Sequence, residues 1–249
     1  MRIIISPAKK MNLDTDTLPW KNLPQFLPQA EVLYRTLQSM SYAALKTLWN
    51  CNNQIAALHV HYLKTMDLYK NLTPAILAYR GIQYQYMAPS VFTQEEYEYI
   101  QEHLRILSAL YGLLRPFDGV VPYRLEMQAR LKVGDTKDLY AYWGRLLADQ
   151  LQEETSCIVD LASKEYSRCI SRYRKMGTRW ITCVFGEEHE GKIVEKGVLC
   201  KMARGEMVRY LAEKRVKAPE GMKEFSQLNY RYVPEYSDES TYVFIQRGR

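Results

Sequence analysis

Nine side chains able to do chemistry fall where short apolar runs end or in the loops that follow them: Ser6, Lys9, Arg115, Asp118, Tyr123, Arg124, Glu126, Lys164 and Glu165. The set admits two chemistries. Ammonium and guanidinium groups at strand ends can grip phosphate, and the three carboxylates must then be paired, because alone they repel it. Alternatively, Asp118, Glu126 and Glu165 can move protons beside Lys9 or Tyr123, with Lys9 a nucleophile or base if desolvated. A purely structural use competes with both. Arg115 and Asp118 can tie down their own turn, and Lys9 can be an ordinary solvated charge.

The elements that position these groups follow from periodicity. Arg2 to Ile5 reads as a buried first strand that breaks at Ser6-Pro7, leaving Ala8, Lys9 and Lys10 past its carboxyl end, where open α/β sheets gather ligands. Ile106 to Tyr111 reads as a second strand buried on both faces and ended by Gly112. Pro116, the Asp118-Gly119 turn and Pro122 stiffen the loop beyond it. Tyr123 to Met127 then alternates, which puts Arg124 and Glu126 on one face, about 6 to 7 Å apart along it. Thr155 to Leu161 predicts a third buried strand, and Ser163, Lys164 and Glu165 open the helix after it.

The first half is otherwise helical. After a loop over residues 12 to 28, the spacing predicts helices over Glu31 to Met40, Tyr42 to Trp49 with Ser41 as N-cap, and Gln54 to Tyr69. Between the last two, Asn50, Cys51, Asn52 and Asn53 lie like the turn of a helix-hairpin-helix, with Asn50 and Asn52 in its glycine slots. Asn tolerates the left-handed backbone such a turn needs, and a turn feeding a helix N-terminus aims N–H groups at phosphate. A plain helix connection is the competing reading. His59 and His61, two apart on a helix, face different ways and make no metal pair. Ile82, Tyr84 and Tyr86 alternate after Gly81, which predicts a strand, and Thr93 caps a helix reaching His103.

Positive charge concentrates late in the chain. Lys164 to Lys217 holds fourteen basic and seven acidic residues, an excess greater than the net +6 of the whole chain. Leu139 to Leu151 predicts a helix, and Trp180 to Phe185 with Lys192 to Leu199 a hairpin. Lys201 to Lys214 predicts a helix with Lys201, Arg204 and Arg209 on one basic flank, and Tyr230 to Tyr236 and Thr241 to Gln246 read as closing strands. With 249 residues, 47% of them hydrophobic, and neither repeats nor a linker, one domain spanning 1–249 is expected. Five scattered cysteines without a C-x-x-C pair read as reduced thiols in a cytosolic protein, and no apolar run suggests a signal peptide or membrane span. No cofactor and no metal site are expected.

ISPAK at 5–9, LSALYGLLRPFDGVVPYRLEM at 107–127, KDLYAYWG at 137–144, DLASKEY at 160–166 and KMARGEM at 201–207 resemble, in order and register, the motifs of the YaaA family of peroxide-stress proteins. The resemblance implies an α+β (mixed α/β) single domain: a mixed central sheet surrounded by helices, a helix-hairpin-helix-like element near residues 41–69 and a positively charged cleft. It also implies a cytoplasmic bacterial protein tied to peroxide stress, DNA repair and iron homeostasis. Its partner would be DNA, bound with low sequence specificity as duplex or repair intermediate, with self-association on DNA compatible with that role. Contacts are expected from Asn50, Asn52, Asn53, Lys9, Arg115, Arg124, Lys164, Lys201, Arg204 and Arg209. The alternative is an enzyme acting on nucleic acid or a nucleotide-like small substrate, with Ser6, Lys9, Asp118, Tyr123, Glu126, Lys164 and Glu165 as candidate catalytic groups.

Overall fold

The computed structural model describes residues 1–247. Ile3, Ile4 and Ile5 are fully buried, as are Ile158, Val159 and Leu161, because each lies in a parallel strand covered on both faces. Across the main sheet the order is Tyr230–Tyr232, Thr241–Gln246, Arg179–His189, Cys157–Leu161, Arg2–Ile5, Leu104–Ser108 and Gly112–Leu114. The five strands from Thr241–Gln246 to Leu104–Ser108 run parallel, and an antiparallel strand closes each edge. Lys192–Val194 folds back on Arg179–His189 as an eighth strand. The fold is thus mixed α/β around a mixed central sheet, as the sequence predicts.

Several local expectations need correcting. The apolar run at 106–111 is not one strand but the first arm and turn of a hairpin. Ser108 Oγ accepts the Tyr111 N–H at 2.9 Å, and Gly112, at φ +74°, opens the return strand instead of ending the run. The predicted helix over 139–151 is two, Leu139–Trp143 and Leu146–Glu154, parted at Gly144 with φ 48°. The expected hairpin forms, but its far arm is only Lys192–Val194, because helix Gly197–Glu213 begins four residues earlier than predicted and takes the end of that arm. The first helix, Leu27–Gln38, also starts earlier, on a proline at its second position.

The alternating Ile82, Tyr84 and Tyr86 do not form a strand. Ile82–Met87 is a helix, and its buried residues Gln83, Tyr84 and Met87 give a helical face that packs on Gly197–Glu213. Gly205 makes the approach feasible, since a Cβ there would stand 2.2 Å from the Gln83 carbonyl oxygen. Packing against a glycine overrode a short period-2 pattern.

Gly205→Ala should therefore force the two helices apart and cost about 1–3 kcal/mol. In the same helix Gly197 has open space around its would-be Cβ, so Gly197→Ala should stay within about 0.5 kcal/mol of wild type. Urea melts of the two variants check the contrast; equal stability would mean that the helices accept a Cβ at position 205 without moving.

Candidate functional site

Ser6 and Ser163 follow the ends of adjacent parallel strands, and they are joined. Ser6 Oγ accepts the Ser163 N–H at 2.8 Å and donates to Ser163 Oγ at 3.1 Å. Beyond this junction opens a cavity of about 430 Å³ walled by residues 6–10, 80–84, 123–126, 163, 165, 166, 201 and 204. Its depth is graded by chemistry. Lys9, Lys10, Arg80 and Lys201 are exposed at the rim; Arg124, Glu126, Glu165 and Arg204 are half-buried; Gln83, Tyr84, Tyr123, Leu125 and Tyr166 are buried beneath them.

Six cationic side chains thus face two carboxylates in one cavity. Lys9 Nζ lies 2.8 Å from Glu126 Oε2, and Arg124 reaches the other Glu126 oxygen at 3.5 Å. Glu126 is therefore paired, whereas Glu165 accepts the Gln128 N–H at 3.2 Å. Burial pushes the Glu165 carboxyl above the usual carboxylate range, and the nearby charge of Glu126 pushes the same way. Tyr84 Oη donates to the Ser6 carbonyl at 3.0 Å, and Tyr123 Oη shares hydrogen bonds with Ser108 Oγ at 2.7 Å and Tyr79 Oη at 3.0 Å. Burial raises the Tyr123 hydroxyl to about 12.

Of the residues singled out from sequence, Ser6, Lys9, Tyr123, Arg124, Glu126, Glu165, Lys201 and Arg204 come together here. Arg124 and Glu126 share this wall as alternation predicts, although the segment is extended loop and not strand. Lys164, Arg209, Arg115, Asp118 and the three hairpin asparagines do not line the cavity. Lys164 opens helix Lys164–Ser171 exposed and outside the lining, and Arg209 pairs with Glu213 at 2.7 Å elsewhere on its helix. From Arg204, five residues turn a helix by about 140°, so a single basic flank cannot hold both. Arg115 and Asp118 sit at the opposite end of the sheet, because the antiparallel return strand carries them back past the amino-terminal end of Leu104–Ser108. There Asp118 Oδ2 accepts the Arg115 N–H at 2.8 Å, which makes the turn-tying use the observed one. Arg80, Gln83, Tyr84 and Tyr166 were missed: Arg80 ends the short strand Tyr79–Arg80, Gln83 and Tyr84 lie in the segment read as a strand, and Tyr166 sits in the first turn of helix Lys164–Ser171.

Beside the cavity wall stands the hairpin of Tyr42–Trp49 and Asn53–Thr65, and Arg124 Nη2 reaches the Trp49 carbonyl at 3.5 Å. Asn50 takes the left-handed backbone expected of it, with φ 43°. Asn52 does not. It is extended, at φ −73°, and its side chain caps the next helix by accepting the Ile55 N–H at 2.9 Å, so it needs no glycine-like freedom. Asn53 is the first residue of that helix and exposed. His59 is buried between Trp49 and Tyr62, whereas His61 is exposed, as their spacing predicts. Burial, helped by the Arg124 charge, lowers His59 to about 4 and keeps it neutral. Among the described residues no three His, Cys, Asp or Glu side chains gather as a metal-holding group, and no helix is long and apolar enough to cross a membrane.

At the opposite end of the sheet, Glu154 binds Arg105 Nε at 2.8 Å and Arg2 Nε at 3.0 Å beside Asp118. Burial raises the Asp118 carboxyl to about 7 despite the Arg115 N–H and the nearby guanidinium charges. A carboxyl with a raised folded pKa favours folding below its unfolded value near 4 and loses that contribution as pH rises toward 7. Asp118→Asn, which can still accept from Arg115, should therefore gain on wild type by about 1–3 kcal/mol between pH 5 and pH 8. Chemical denaturation at both pH values measures the gain, and a pH-independent difference would mean that Asp118 is ionised throughout.

The sequence pattern described as peroxide stress protein YaaA matches residues 1–236. A UPF0246 protein of Desulfitobacterium hafniense is 52% identical over 246 residues, covering 99% of this chain and 98% of its own. One from Lachnoclostridium phytofermentans is also 52% identical, with 99% and 96% covered, and one from Limosilactobacillus reuteri is 47% identical, with 98% of each chain covered. The matched region contains the whole cavity lining, from Ser6 to Arg204. With that extent and identity, the chain belongs to the peroxide stress protein YaaA family.

Proposed function

We propose that this member of a peroxide-stress family works in the cytoplasm by binding DNA through its phosphates, with low sequence specificity, in the protection or repair of DNA. The observation that carries the reading is the gathering of Lys9, Lys10, Arg80, Arg124, Lys201 and Arg204 around one cavity beside a hairpin. Four of the six stand exposed at the rim, and of these Lys10 and Lys201 make no salt bridge among the described residues, so they can meet a polyanion before any group is buried. The helix start at Asn53, which follows the left-handed turn at Asn50, offers backbone N–H groups as a second phosphate contact. Backbone contacts of this kind position a nucleic acid without reading its bases.

Binding of this type releases counterions, so duplex affinity should fall steeply with salt. Lys10→Ala and Lys201→Ala, at side chains that make no salt bridge among the described residues, should each weaken binding for all sequences alike and flatten the log–log salt slope by about one. Asn52→Ala uncaps the hairpin's second helix and reports the share of binding held there. Salt titrations of folded variants with a labelled duplex measure all three, and salt-independent affinity would sink the proposal.

A catalytic reading is favoured by one observation: two carboxylates, one paired with Lys9 and one pushed toward its protonated form, occupy the same cavity. Incubating the protein with supercoiled plasmid, with and without a divalent metal, should then give nicks or base loss that Glu165→Gln reduces at least tenfold. An intact product under both conditions would leave binding alone.

A further inference from the structure

The cavity's chemistry is more selective than phosphate attraction requires. A surface that only tracks a DNA backbone needs cations, yet here the cations form a rim over a buried layer of Gln83, Tyr84, Tyr123, Leu125 and Tyr166. The hydroxyls of Tyr84 and Tyr123 are already spent on Ser6, Ser108 and Tyr79, which leaves their rings as what they can offer. Three donor atoms in the lining residues remain buried without a partner: Gln83 Nε2, Arg124 Nε and Arg204 Nε. Gln83 itself is only 7% exposed. Leaving a buried donor unbonded costs about 1–3 kcal/mol, a cost that a ligand bearing acceptors could offset through these side chains.

The larger cavity, about 870 Å³ beside Glu187, Lys196 and Tyr236, lacks this character. Its Lys196 is spent on Glu187 at 2.7 Å.

We infer that the strand-end cavity is a site for one unstacked nucleotide, its phosphate held by the cationic rim and its base lodged over the tyrosine layer within reach of Gln83. This rests on the phosphate-binding reading above and adds the chemistry of the occupant. At about 430 Å³ the space suits a small ligand and not a paired helix, whose major groove alone is about 12 Å wide. A base must therefore leave its stack to enter. Stacking on an aromatic side chain tolerates any base, whereas an amide and the Glu165 carboxyl can pair with a base edge. The nucleotide can come from two sources, an extrahelical position in DNA or a free mononucleotide.

The test compares a fully paired duplex with one of equal length carrying a single bulged 2-aminopurine, and adds calorimetry with deoxyadenosine monophosphate against inorganic phosphate. The bulged duplex should bind roughly tenfold tighter, because its unstacking cost is already met, with quenching of the 2-aminopurine on the tyrosine layer. The mononucleotide should bind where inorganic phosphate at equal concentration does not. Gln83→Leu removes an amide whose nitrogen the fold leaves unbonded, and Glu165→Gln is a second variant should the first unfold; either should shrink the bulged-to-paired ratio. Equal affinity for both duplexes, with no response to the mononucleotide, would overturn the nucleotide site and leave duplex binding standing. Binding of the mononucleotide with neither duplex bound would keep the site, assign it to free nucleotides and overturn DNA binding. Failure of every probe overturns both.

Discussion

The junction between Ser6 and Ser163 is the constraint on which the cavity depends. Two parallel strands end side by side, and one hydroxyl both accepts a backbone N–H and donates to its opposite number. This fixes where each chain leaves the sheet. From Ser6 the backbone carries Lys9 to Glu126, and from Ser163 it carries Glu165 to the Gln128 N–H, so both exits meet the same 123–128 segment. Parallel neighbours with aligned carboxyl ends are what allow residues more than a hundred positions apart to share a site.

A second constraint holds the far wall. Gly205 lets the Gln83 backbone lie against helix Gly197–Glu213, and that contact sets Gln83 and Tyr84 at the cavity while Arg204, next to the glycine, reaches it from the other side. Tyr84 then ties this wall to the junction through the Ser6 carbonyl. Packing and site are here one arrangement. The ionic cluster of Arg2, Arg105 and Glu154 beside Asp118, at the other end of the sheet, is separate in both place and role. Arg105 is almost wholly buried and also donates to three backbone carbonyls, so this cluster anchors the amino-terminal ends of the strands.

Much of the arrangement was legible in the chain. Ile3 to Ile5 and Ile158 to Leu161 could be read as buried strands because each is a short, mainly apolar run with a serine just past its end, the second broken only by Asp160, and Ser41 and Thr93 marked helix starts that the structure keeps. Cap chemistry is local, and so is the left-handed backbone of Asn50. What misled was also local: a period-2 coincidence at Ile82, Tyr84 and Tyr86, and an apolar run at 106–111 too short to tell a strand from a hairpin.

By itself the sequence determined the class of chemistry: a basic protein with serine, lysine and carboxylates at strand ends, in motifs that placed it in its family. Only the tertiary structure decided which of those residues meet. Glu126 and Glu165 share a cavity while Asp118 lies at the other end of the sheet, because a return strand of three residues reverses direction. Strand direction and the pairing of distant segments are set by which apolar faces bury one another, a property of the whole chain that no single window carries.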